Sequence, residues 1–186
     1  MTEDFTFTFE PLKTGEFGLT KACGSLLAEA AAFCLHHHKH PTPVVFTVSG
    51  DLSKSGFLVW VAVTQQHGAT YPDLPETTEW GACGIAILVA TRISGAQSVQ
   101  RSVKGPGVDY WLGDDSDDHG LFQRKARLEV SGILDGREPD IRRRLKRKLA
   151  QTTPSDDSAL PAYVAIVEFG APQTCFVKKD PAGAKQ

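Results

Sequence analysis

The sequence predicts an α+β fold, a mixed β-sheet flanked by helices, on three observations. Apolar residues alternate with polar ones in several short stretches, the period of half-buried strands. Two long Ala-, Leu- and Ile-rich stretches and one amphipathic basic stretch interrupt them at helical spacing. The composition, 41% hydrophobic and 23% charged over 186 residues, suits one globular domain with a core that needs no metal or disulfide.

In chain order, "DFTFTFE" places Phe5, Phe7 and Phe9 on one face of a strand. Thr20 caps a helix over 21–38, and the "HPTP" segment at 40–43 ends it, since proline cannot continue a helix. Strands at 44–51 and 56–65 follow, joined by a Ser/Lys/Gly turn. Residues 67–79 read as a proline-containing loop. Thr77 or Thr78 then caps a helix over 79–94 that is apolar nearly all round and therefore buried, with Gly95 as its stop. Two strands come next, within "KGPGVDYWLG" (104–113) and "RKARLEVSGIL" (124–134). After a turn at 135–140, Ile141, Leu145 and Leu149 form the apolar stripe of a helix over 141–151. A loop leads to a strong strand at 162–170 and an edge strand at 173–179, and residues 180–186 form a loose tail. The expectation is one α+β domain with an N-terminal strand–helix–hairpin part over 1–65.

Four scattered cysteines form no C-x-x-C pair, which argues against a zinc site or a disulfide framework and for reduced thiols. The first ten residues carry no apolar signal core, and no apolar run approaches the roughly 20 residues of a membrane span. A cytoplasmic protein with no membrane association is expected. The net charge of −2 gives no global basic field, so nucleic-acid binding would have to come from local clusters.

The chemistry concentrates in the paired strands. Val108, Tyr110 and Leu112 share one face of the first, and Asp109 and Trp111 the other. In the second, Ala126, Leu128 and Val130 oppose Arg127, Glu129 and Ser131. If the strands are neighbours, the polar faces coincide, and opposite residues lie about 5 Å apart at Cβ. Two carboxylates that close raise each other's pKa unless a cation sits between them. A hard divalent ion such as Mg²⁺, held by one or two carboxylates with water completing its shell, is the natural occupant. The other reading is a surface ion pair of Glu129 with Arg127 or a base on the partner strand, which needs no function.

The order of helix, strands bearing Asp and then Glu, basic helix and strand over about 77–170 resembles the PD-(D/E)XK nuclease superfamily. That resemblance implies a restriction-endonuclease-like core of αβββαβ order. It also implies that Asp109 and Glu129 bind Mg²⁺, and that Glu79, at the start of the preceding helix, assists. The superfamily's lysine lies two residues beyond the Glu, where this chain has Ser131, and no proline directly precedes Asp109. Lys125, on the face of Glu129 but four residues earlier and about 13 Å away, completes the candidate catalytic set. Lys104, Lys146 and Lys148 are the alternatives. The chain is also similar, over most of its length, to a bacterial protein family of no established activity whose members carry "KGTGFDYWL" and "ARLEVSGI" segments and a basic helix after them.

Arg142, Arg143, Arg144, Lys146, Arg147 and Lys148 place six cations in seven residues, a density that can neutralise phosphates and release counterions. A solvated face balanced by Asp135, Glu138 and Asp140, or contact with an acidic protein, accounts for the same cluster. Two functions follow: a Mg²⁺-dependent nuclease-like protein acting on nucleic-acid phosphodiesters, or a catalytically inactive nuclease-like module that binds a protein or nucleic-acid partner in a bacterial multi-gene system. Other features carry less. His36 and His40 have a chelating i, i+4 spacing, but histidines at a helix C-terminus also complement its dipole. The Asp-rich 113–120 segment lacks a calcium-loop frame and reads as a flexible connection, and neither G-x-S-x-G nor a phosphate loop occurs.

Overall fold

The computed structural model describes residues 5–115 and 122–181. Its strands are β1 (Thr6–Thr8), β2 (Val44–Gly50), β3 (Lys54–Val59), β4 (Ser98–Arg101), β5 (Tyr110–Asp115), β6 (Phe122–Ile133), β7 (Ala162–Glu168) and β8 (Gln173–Lys179). They form one mixed sheet in the order β1-β3-β2-β8-β7-β6-β5-β4. Its edges are β1, marked by the alternating buried Phe5, Phe7 and Phe9, and β4.

The helices are α1 (Glu10–Thr14), α2 (Lys21–His37), α3 (Gln65–Thr70), α4 (Leu74–Ser94) and α5 (Glu138–Gln151). On one face of the sheet, α2 and α4 pack over Leu128, Val130, Ala165, Val167 and Phe176. Gly81 and Gly84 of α4 allow that approach: a Cβ at Gly81 would lie 2.9 Å from the Ala31 backbone, and one at Gly84 3.0 Å from Leu27 O. On the opposite face α5 lays Ile141, Leu145 and Leu149 against Ile133, Val164 and Ile166. From Leu128 onward the even-numbered residues of β6 therefore face α4 and the odd-numbered ones face α5, as a period of two requires. No helix among the described residues is long and apolar enough to cross a membrane.

Several expectations are corrected. The 173–179 strand is not an edge: β8 lies parallel to β2 and antiparallel to β7. Its Lys178 and Lys179 read as edge chemistry because they run past Gly50, where β2 stops, and pair with β7 alone. The 67–79 segment is not a loop throughout: it holds most of α3 and the first turn of α4. Asp73, not Thr77 or Thr78, caps α4, accepting from Glu76 N at 3.1 Å, while Pro75 occupies a first-turn position where a missing N–H costs nothing. The threonine hydroxyls instead donate back to Asp73 O and Leu74 O. β4 is too short and polar to stand out by periodicity, and α5 starts three residues early. The Asp-rich connection at 116–121 and the tail from 182 lie outside the described residues.

Candidate active site

The two acids singled out from sequence meet where β5 begins. The antiparallel register pairs Tyr110 with Leu128 and Trp111 with Arg127, so Asp109 and Glu129 fall one step further along. Asp109 N donates to Leu128 O at 2.9 Å, and Ser102 N donates to Asp109 O at 2.8 Å. The Asp109 carboxylate then accepts from Val130 N at 2.8 Å, so a side chain takes over a donor of β6 where regular pairing has ended. The "KGPG" segment is a turn rather than strand, with Gly105 and Gly107 at positive φ. At Gly107 (φ +72°) a Cβ would lie 2.0 Å from Gln151 O, so only glycine lets the turn rest on the end of α5. Between turn, strands and helix lies a cavity of about 310 Å³ lined by Arg101, Ser102, Lys104, Asp109, Glu129 and Gln151.

Glu129 is 1% exposed, and Asp109 is half-buried. From α5, Lys148 Nζ donates to Glu129 Oε1 at 2.5 Å. The other carboxylate oxygen, Oε2, is buried with no hydrogen-bond partner among the described residues. Burial first, and the charge of Asp109 second, push the Glu129 pKa up to about 7; Lys148 opposes both without cancelling them. Beneath the pair, on the α4 side, the Cys83 thiol is held neutral, its pKa pushed up to about 12 by burial and then by Asp109. It is no nucleophile.

The position of the missing motif lysine, Ser131, is occupied from α5 as well: Arg144 donates to Ser131 Oγ at 2.8 Å. Lys125, the lysine assigned to the catalytic set, is not brought to the site. A bulge in β6 skips it between the pairs Leu112↔Ala126 and Gly113↔Arg124, and it forms an ion pair with Asp114. The simple alternation that put Lys125 on the face of Glu129 fails at that extra residue. Glu79 is exposed on α4, close enough for its charge to act on Cys83 and Arg144, but it is not among the groups that act on Glu129. Of the remaining cations, Arg142 pairs with Glu138 and Arg143 with Asp140.

Lys148 was legible as one of four lysines within reach, and a finer signal singles it out. Ile141, Arg144, Leu145, Lys148 and Leu149 follow i, i+3, i+4, i+7, i+8, so Arg144 and Lys148 flank the buried stripe. Arg127 was missed as a structural anchor. It is fully buried on the Glu129 face, donating to Thr152 O, Ser155 Oγ, Leu160 O and Asp156. It clamps the 3₁₀ turn at Thr153–Ser158 over the sheet. The histidines do not form a chelating pair: α2 ends at His37, Lys39 takes a left-handed conformation, and His38 and His40 bond the carbonyls of Leu134 and Phe169.

Two facing carboxylates, one with an unpartnered buried oxygen, fit a hard divalent cation that completes its shell with water. No group of three or more His, Cys, Asp and Glu gathers among the described residues, so Asp109 and Glu129 are the acid donors that those residues would offer it. Comparison with family models, curated proteins and solved structures finds no significant match for this chain.

Proposed function

We propose that the chain is a Mg²⁺-dependent nuclease-like protein acting on nucleic-acid phosphodiesters, with Asp109 and Glu129 holding the metal and Lys148 standing in for the motif lysine. The observation that carries this reading is the Glu129 carboxyl: buried, pressed against the Asp109 carboxyl, tied to Lys148 through one oxygen and with no N–H donor at the other. A carboxylate kept in that state costs stability, which supports a site that a bound cation would complete. The succession α4–β4–β5–β6–α5–β7 supports a PD-(D/E)XK-like core, since β4–β5–β6 form an antiparallel meander and α5 crosses to the parallel β7.

In this scheme the chain's residues divide the work. The metal, when bound, polarises a phosphodiester oxygen and lowers the pKa of the attacking water. Asp109 is held in place by Val130 N, and Glu129 by Lys148, so neither donor reorganises during the reaction. Lys148 sets one cation where negative charge develops on the phosphate and exchanges hydrogen bonds with the attacking water through Nζ. Lys104 and Arg101, at the mouth of the cavity, and exposed Lys146 and Arg147 on α5 hold the backbone.

One observation favours the inactive-module reading: Ser131 is neither lysine nor open, because Arg144 binds it. Cleavage of supercoiled plasmid, linear DNA, single-stranded DNA and RNA in Mg²⁺, Mn²⁺ and EDTA decides between the two. Metal-dependent cutting that Asp109→Asn abolishes and Lys148→Met lowers by about 10²-fold or more is expected. Binding without cutting in every metal assigns the chain to the inactive module instead.

A further inference from the structure

Beside the carboxylates, α5 builds a second cavity. Arg143, Arg144 and Arg147 line a space of about 430 Å³ closed by Ile133, Asp135 and Asp140. Two of the three arginines are already used for structure. Arg143 pairs with Asp140 at 2.7 Å, and half-buried Arg144 is braced on Ser131 Oγ at 2.8 Å. Asp140 is further occupied by the Arg137 amide at 3.0 Å. Arg147 is exposed and forms no ion pair with a described residue; Asp135 and, across on α4, Glu79 are the other acids near the group. Burial, and then the charges of Arg147 and Arg143, press the Arg144 pKa below its ordinary value, so the three guanidiniums are held closer than they would choose to be.

We propose that this pocket receives the terminal phosphate monoester of a nucleic-acid strand; the inference rests on the reading above and specifies its substrate as a phosphorylated strand end. Three features select an end over an internal linkage. Fork-shaped guanidiniums converging from one helix turn match the several free oxygens of a monoester. A monoester carries about −1.5 to −2 charges at neutral pH, more than a diester, and so gains more from exposed Arg147 and from the N–H groups that Arg143 and Arg144 keep beyond Asp140 and Ser131. Asp135 and Asp140 also line the space, and their charge disfavours a polyanionic backbone continuing through it.

The spacing ties this pocket to the chemistry. Arg144 and Lys148 are one helical turn apart, and their partners Ser131 and Glu129 lie two residues apart on one face of β6, about 7 Å. A phosphate seated against Arg144 therefore puts the linkages nearest that end over Asp109 and Glu129.

The test measures binding without turnover. Short labelled single strands with a 5′-phosphate, a 3′-phosphate or hydroxyls at both ends are titrated with the protein in EDTA by fluorescence anisotropy. One phosphorylated end is expected to bind about tenfold tighter than the hydroxyl-ended strand, and the arm that does so identifies the end recognised. Arg147→Gln and Arg143→Gln, each checked for an unchanged melt, should reduce that preference to roughly twofold or less. Lys178→Gln, at the far side of the sheet, should leave it intact. Equal binding of all three strands, or a preference that survives both arginine variants, overturns the proposal. Its failure is distinct from failure of the nuclease reading: metal-dependent cutting indifferent to the ends leaves the carboxylate site standing, and end preference without cutting leaves the pocket standing.

Discussion

Replacing Glu129 with Gln is expected to stabilise the metal-free protein above neutral pH, and the size of the effect follows from its surroundings. Moving a carboxyl pKa from 4.5 to about 7 corresponds to about 3 kcal/mol between the two protonation states. Between those pH values the folded chain keeps a proton that the unfolded chain releases, so unfolding free energy falls as pH rises through the window and levels off above about 7. Glutamine imitates the protonated acid beside the same Lys148, so the variant should lack this descent. In EDTA, urea unfolding at pH 5 should find the two proteins nearly equal, and at pH 8 the variant should be more stable by about 2–3 kcal/mol. Mg²⁺ at about 100 times its dissociation constant should return about 2.7 kcal/mol to the native protein at pH 8 and little to the variant. Parallel stability curves from pH 5 to 8 would refute the reasoning, because Glu129 would then titrate as an ordinary surface acid.

Four further outcomes are expected. Asp109→Asn keeps an oxygen for Val130 N, so its stability at pH 5 should stay within about 1 kcal/mol of native while the Mg²⁺ response disappears, as thermal melts would register. Lys148→Met should cost only about 1–2 kcal/mol at pH 8 and less at pH 5, since Glu129 can take a proton rather than remain an unpaired charge; any cleavage rate should fall by about 10²-fold or more. Arg127→Met strands the buried Leu160 carbonyl, while Thr152 O keeps its bonds from Ser155, and should lose about 2–4 kcal/mol in urea denaturation. Gly107→Ala meets both a left-handed φ and the Gln151 carbonyl, so a loss of about 1–3 kcal/mol is expected, with altered binding at the cavity mouth.

The sequence by itself determined what depends on period and local chemistry. Alternating phenylalanines marked β1, an all-round apolar stretch marked α4 as buried, and alternation in "VDYWL" and "ARLEVS" put Asp109 and Glu129 on coincident faces. These properties repeat over a few residues, so they survive without knowledge of neighbours. Tertiary structure decided the rest. β8, already paired with its neighbour β7, became a central strand because β2 also reached it, a pairing between segments more than a hundred residues apart that no local pattern encodes. One bulge carried Lys125 away to Asp114, while the seat of α5 on β6 and β7 carried Lys148 onto Glu129. The charge state of Glu129 was settled last, by burial and by Asp109. A carboxyl's pKa is set by the dielectric and charges around it in space, and those exist only once the chain has folded.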